Sequence, residues 1–330
     1  MLKFAQRGAA GFALAVLVLI ALGGLMSAAS QPSLRGRMID IGGRSLHMVC
    51  AGPQDGRPVV VMEAGAFGLS ADWGAVQKQL AEQGVRSCAY DRAGLGRSAP
   101  GPAPRDGLAI AGDFEKMLAA SGEPGPYIYV GHSMAGLYAR LFAARNPDKV
   151  AGLVLVDAAT PEAADIPQAR TWIGHFVNVS RMAGWGASAG LFKIVSPWMG
   201  DRIGLPDEAA GEKKRAFASG VHNRWSGREV AEWMQTSKQA ADAGNYDPRT
   251  PIAVVTAGPE KGREAWKAVQ TAPARASEHG YIRHVDGAGH ATLLGTAYAE
   301  EIVKAVLFVR DAAAGEVEPA SQPVAASPAG

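Results

Sequence analysis

A serine hydroxyl, an imidazole and a carboxylate suffice for nucleophilic attack on a carbonyl when a fold holds them in line. The sequence sets one serine apart. Residues 127–130, Tyr-Ile-Tyr-Val, form a β-branched and aromatic run that reads as a buried strand. Beyond Ser133, the apolar residues Leu137, Leu141 and Phe142 fall on one helical face. Between them, Gly131-His132-Ser133-Met134-Ala135-Gly136 reads as a strand-to-helix turn. A serine on such a turn is forced into strained backbone, so Gly131 and Ala135, two residues to either side, must be small. The strain lifts the hydroxyl out of the sheet, and the helix N-terminus aims free N–H groups at the same place. This is a nucleophile-elbow pattern, with alanine at its fifth position.

The hydroxyl needs a base. His290 is the candidate, because Gly287-Ala288-Gly289-His290 follows a predicted strand and lets an imidazole approach the serine closely. His132 adjoins Ser133 but points away from it. His47 and His284 lie in strands and read as packed or structural; His175 and His222 lie in a strand-free segment and read as packed or solvated. The imidazole in turn needs a carboxylate to fix its tautomer. Asp157 ends the apolar run 153–156 and is the expected acid. Glu260, beside Pro259 and Lys261 in what reads as an exposed turn, is the alternative, and Asp286 a third choice only four residues before His290.

The elements that must position these groups follow from composition and periodicity. The 330 residues, 48% hydrophobic and 19% charged, supply a sizeable core. A net charge of +2, with no basic run longer than Lys213-Lys214-Arg215, argues against a nucleic-acid surface. Two cysteines exclude a disulfide framework and a Cys-rich zinc site, and no metal or organic cofactor is implied. Lys3 and Arg7 precede an uncharged apolar run of 18 residues, 9–26. That length falls between a signal peptide and a membrane span, and 27–29, Ser-Ala-Ala, would suit a signal peptidase. Residues 1–30 are therefore expected to be a signal peptide or, preferably, an uncleaved anchor, with the rest exported. Strands alternate with helices over 35–157 and 251–311, which predicts a mostly parallel sheet with helices on both faces. Residues 158–250 lack strand runs but hold amphipathic helices, the clearest over 228–241, and five of the seven tryptophans. Residues 312–330, rich in Ala, Pro, Ser and Glu, read as a disordered tail.

GHSMAG, with YDRAGLGRS upstream and GAGH downstream, resembles the α/β-hydrolases over residues 35–310. It is similar in particular to exported or membrane-anchored esterase-like members that carry an E-x-G-type loop in place of His-Gly. The resemblance implies an eight-stranded sheet with its second strand antiparallel, and a helical cap, here 158–250, after the sixth strand. It implies the order serine, acid, histidine, with the backbone N–H groups of Ala66 and Met134 as the oxyanion hole. Relatives most often carry the acid as Asp after the seventh strand, where Gly258-Pro259-Glu260-Lys261 has none. The Asp91-to-Ser98 motif is expected to brace loops rather than react. The same fold sets the strands of Cys50 and Cys88 side by side, which leaves a disulfide and two buried thiols both open. The expected reaction is carboxylic ester hydrolysis through an acyl-enzyme on Ser133, with a small-molecule substrate whose apolar groups fit under the cap. Amidase, peptidase or acyltransferase chemistry on the same triad, or a non-catalytic binding protein, are the alternatives. The serine disfavours the aspartate-nucleophile chemistry of dehalogenases and epoxide hydrolases.

Overall fold

The computed structural model describes residues 35–317 except 189 and 199, and positions 11, 14, 15, 17, 18 and 21 of the N-terminal run. The reading of residues 1–30 as signal or anchor therefore lies largely outside the described residues, as does most of the tail. Among the described residues no helix is long and apolar enough to cross a membrane.

Eight strands form one sheet: β1 Arg37–Asp40, β2 Ser45–Ala51, β3 Val59–Glu63, β4 Ser87–Tyr90, β5 Tyr127–His132, β6 Val150–Val156, β7 Ile252–Ala257 and β8 Gly280–Val285. Their order is β1-β2-β4-β3-β5-β6-β7-β8. Strand β2 runs antiparallel to both neighbours, and all pairs from β4 to β8 are parallel. Alternate residues of the central strands serve opposite cores. Val60, Met62, Ile128, Val130, Val154 and Val156 join one cluster; Val59, Val61, Tyr127, Tyr129, Leu153 and Leu155 join the other. Burial on both faces explains why these strands read as unbroken apolar runs.

The helices are α1 Gly74–Glu82, α2 Gly107–Ser121, α3 Ala135–Arg145, α4 Pro167–Ser188, α5 Leu191–Val195, α6 Asp207–Ala218, α7 Gly220–Ala231, α8 Trp233–Asp242, α9 Glu264–Ala276 and α10 Ala299–Ala313. Helices α1 and α10 cover one face of the sheet, and α2 and α3 the other. Helices α4 to α8 follow β6 and precede β7.

Three expected boundaries are corrected. The helix over 228–241 is two helices broken at Glu232, which turns Trp233 onto Ile110, Leu137 and Leu141. Helix α9, expected from the sequence only over 264–269, runs on to Ala276 despite Pro273. Burial of Gln270, Thr271, Pro273 and Ala274 against the sheet offsets the missing N–H. Helix α10 continues to Ala313, with Ala312 buried, so the helix overlaps the start of the expected tail. Cys50 and Cys88, directly paired across β2 and β4, form a disulfide.

Candidate active site

Ser133 follows β5 with φ +55°, a left-handed conformation that favours glycine. Its neighbours show why the turn needs small residues. A Cβ on Gly131 would lie 3.0 Å from the Ala135 carbonyl oxygen, and one on Gly136 would lie 2.4 Å from that of Ala159. The turn is held by the Ser133 N–H donating to Val156 O (3.1 Å) and by Gly136 and Ala159 donating to Ser133 O (3.0 and 2.8 Å).

Parallel β6 runs beside β5, so its end delivers Asp157 next to this turn. Asp157 is buried and also has positive φ, +39°. Its Oδ2 lies 2.6 Å from His290 Nδ1, while Oδ1 accepts from Gln270 Nε2 (3.1 Å) and Ala257 N (3.3 Å). Burial pushes the Asp157 pKa up. The His290 hydrogen bond and charge, with the Gln270 and Ala257 donors, outweigh it and hold the group at about 2. His290 stands on the loop after β8, its side chain about half exposed. Glu260 is exposed beyond β7, and His290 Nδ1 engages Asp157 instead.

Ser133, Asp157 and His290 line one cavity of about 680 Å³. Among the described residues no hydrogen bond joins Ser133 Oγ to His290, a contact that commonly tightens only with substrate bound. The Glu63-to-Gly68 loop packs directly behind the serine. A Cβ on Gly65 would sit 2.6 Å from Ser133 Cβ, so glycine lets the loop backbone close on Ser133. Ala66 is partly exposed there and Met134 is buried at the start of α3. Neither backbone N–H is hydrogen-bonded among the described residues.

Four supporting groups were not legible as such in the sequence. His132 lies against the site, its ring 4.5 Å from that of His290 and its Nε2–H donating to His290 O at 3.0 Å. Burial and the neighbouring His290 lower its pKa to about 3, so it is neutral and steadies the loop that carries His290. Gln270 on α9 orients Asp157. Lys267, one turn earlier and fully buried, donates to Thr256 Oγ1, Ala257 O and Gly258 O (2.7, 2.8 and 2.9 Å), clamping the end of β7. Burial lowers its pKa, against the pull of Asp157.

The fourth is a pair. Buried Arg92 meets buried Glu229 of α7 at 2.9 Å and donates to Ala64 O and, at 2.8 Å, Gly65 O. It thus ties the loop behind Ser133 to helix α7. Glu63, also buried, accepts from Tyr90 and Tyr129, and burial raises its pKa against the nearby Arg92 charge. Lys213 of α6 donates to Phe67 O at 2.9 Å, and Phe67 has φ +57°. Asp91 is bonded by His47 Nδ1 (2.9 Å) and by Ser70 and Arg97 N–H groups, a bracing arrangement.

The cavity has two walls. Trp172 and Trp233 come from α4 and α8, with Ile166 before them, while Arg263 and Trp266, at the start of α9, line it from the segment after β7. The group with metal-ligand spacing among the described residues is Cys50, Cys88 and Glu123. Its sulfurs are spent in the disulfide and its carboxylate on Arg86, so it does not fit a metal.

Residues 58–177 match the model of the alpha/beta hydrolase fold family. A protein of Hormonema carpetanum named "Probable transporter efuK" is 38% identical over 129 residues, 37% of this chain and 18% of that protein. "Putative carbamate hydrolase RutD" of Variovorax paradoxus is 40% identical over 117 residues, 34% of this chain and 42% of that protein. The matches thus span less than half the length of these relatives. The structure of epoxide hydrolase CorEH without ligand superposes with a TM-score of 0.65 at 20% identity, covering 82% of this chain and 97% of that one. At such identity the likeness speaks for the fold alone.

Proposed function

From this alpha/beta hydrolase fold, with its support for the wider superfamily, we propose a serine hydrolase that cleaves carboxylic esters. The observation that carries the reading is the 2.6 Å contact of His290 Nδ1 with buried Asp157, in the cavity that Ser133 also lines. With Asp157 ionised, His290 keeps its proton on Nδ1 and leaves Nε2 free to accept the Ser133 proton. Ser133 Oγ attacks the ester carbonyl, and the oxyanion takes hydrogen bonds from the Ala66 and Met134 N–H groups, each worth about 10²–10³ in rate. Imidazolium returns the proton to the leaving alcohol. Water, deprotonated by His290, then releases the acid from the acyl-enzyme.

The apolar wall of Trp172, Trp233 and Trp266 favours esters with apolar acyl or alcohol groups. Position 133 offers no carboxylate for an aspartate-nucleophile mechanism. The name of the Variovorax relative favours a second reading, carbamate cleavage by the same triad. The disulfide and the basic-flanked apolar run support an exported domain.

The test is turnover of p-nitrophenyl esters of increasing chain length, with a p-nitrophenyl carbamate and a styrene epoxide alongside. Ester turnover should dominate, and Ser133→Ala should lower it by about 10⁴ or more. Preference for the carbamate selects the second reading. Undiminished turnover in Ser133→Ala rejects both.

A further inference from the structure

Helix α4 turns Ile173, Ser180 and Ala187 inward and lies close against α7, where Gly184 and Gly227 bring the two backbones together. Its outer side is unusual. Val179, Met182 and Trp185, three residues apart, make a continuous exposed stripe, with Met182 73% and Trp185 80% accessible. Leu191 packs over Gly186 and extends the stripe to Val195 and to Trp198, 74% accessible. An exposed apolar face of this kind marks an interaction surface.

Charge tells which partner fits. Between Asp165 and Asp201 there is no acidic residue, whereas Arg170, Arg181 and Lys193 are all exposed around the stripe. Tryptophan and aliphatic side chains edged by arginine and lysine suit the headgroup layer of an anionic bilayer. The chain's own entry agrees. Residues 27–34, between the apolar run and Arg35, reach about 30 Å at full extension. Arg35 meets α6, a neighbour of α5, donating to Glu212 at 2.6 and 3.0 Å. Phe217 of α6 stacks on Phe192 of α5, beside Leu191.

We propose that the α4–α5 face, centred on Met182, Trp185 and Trp198, beds into the surface of an anionic lipid bilayer. It goes beyond membrane attachment through residues 1–30 and stands whether or not that segment is cleaved. Trp172 lies on α4 between the stripe and the cavity, so docking holds the cavity mouth close to the lipid.

The first tryptophan of the chain is Trp73, so tryptophan emission is silent about the N-terminal run. Full-length chain is reconstituted with phosphatidylcholine–phosphatidylglycerol vesicles carrying brominated acyl chains, which quench tryptophans at the bilayer surface. Docking predicts quenching that falls at least about twofold in Trp185→Phe/Trp198→Phe and weakens when phosphatidylglycerol is omitted. Met182→Glu/Trp185→Glu should also lose quenching while keeping turnover of a water-soluble ester, which shows that it is folded; if it does not fold, the phenylalanine pair decides. No quenching in the wild type, or equal quenching in the phenylalanine pair, overturns the proposal. A lipid-free dimer abolished by Met182→Glu, without lipid quenching, gives the face to a second copy and overturns it equally.

Discussion

Replacing Asp157 by asparagine changes one atom and should cost nearly all turnover. The side chain stays pinned by its surroundings. Gln270 Nε2 and Ala257 N donate to Oδ1, so asparagine must offer its carbonyl oxygen there and its amide nitrogen where Oδ2 meets His290 Nδ1. An N–H facing Nδ1 forces that nitrogen to accept, which moves the imidazole proton to Nε2. The base is then blocked toward Ser133, and the cationic imidazole loses its counter-ion. The expected fall in kcat is about 10⁴, or ~5.5 kcal/mol of barrier. The assay is steady-state hydrolysis of a p-nitrophenyl ester by Asp157→Asn and Glu260→Gln, with thermal unfolding as the folding control. Glu260 is exposed, so Glu260→Gln should stay within about twofold of wild type. If Asp157→Asn keeps a tenth of the activity while Glu260→Gln loses it, the tautomer argument is wrong.

Other outcomes follow from the same geometry. Gly65→Ala should cut kcat/KM by about 10² or more with the fold intact, because the new Cβ displaces Ser133 by the order of 1 Å; unchanged kinetics would show that the loop yields freely. Glu229→Gln should destabilise the protein in urea by about 3–5 kcal/mol, since it strands buried Arg92, whereas Arg92→Met/Glu229→Leu should cost less. Unfolded, unreduced protein should titrate no thiols, and Cys50→Ala/Cys88→Ala should lose at most about 4 kcal/mol for a 38-residue separation. The Asp157 pKa is lowered by folding, so its stabilising contribution is complete above the unfolded value of about 3.9 and is lost as pH falls toward about 2. Asp157→Asn should therefore flatten the acid limb of the unfolding curve below about pH 4 and leave its shape at neutral pH unchanged.

The sheet was legible because burial on both faces leaves contiguous apolar runs, as in Val59 to Met62, and because Ser133 sits where a strand gives way to a helix. Asp157 and His290 were legible as strand-end groups. The supporting groups were not, because each acts across distance. Arg92 and Glu229 are 137 residues apart, and Glu229 in its helix reads like any surface acid. Gln270 and Lys267 are polar residues with no motif around them, yet they are buried against the sheet. No local periodicity separates a lysine that clamps three acceptors from one that faces water. The break at Glu232 likewise follows from Trp233 seeking the core, a tertiary demand on a continuous helical pattern.

Covalent capture of the nucleophile decides whether Ser133 is the reacting residue. The folded chain is treated with a fluorophosphonate, and the modified peptide is located by mass spectrometry. A single adduct is expected on Ser133, absent from Ser133→Ala and formed far more slowly in Asp157→Asn. A folded wild-type chain that takes no label, or takes it at another residue, would rule out Ser133 as the nucleophile.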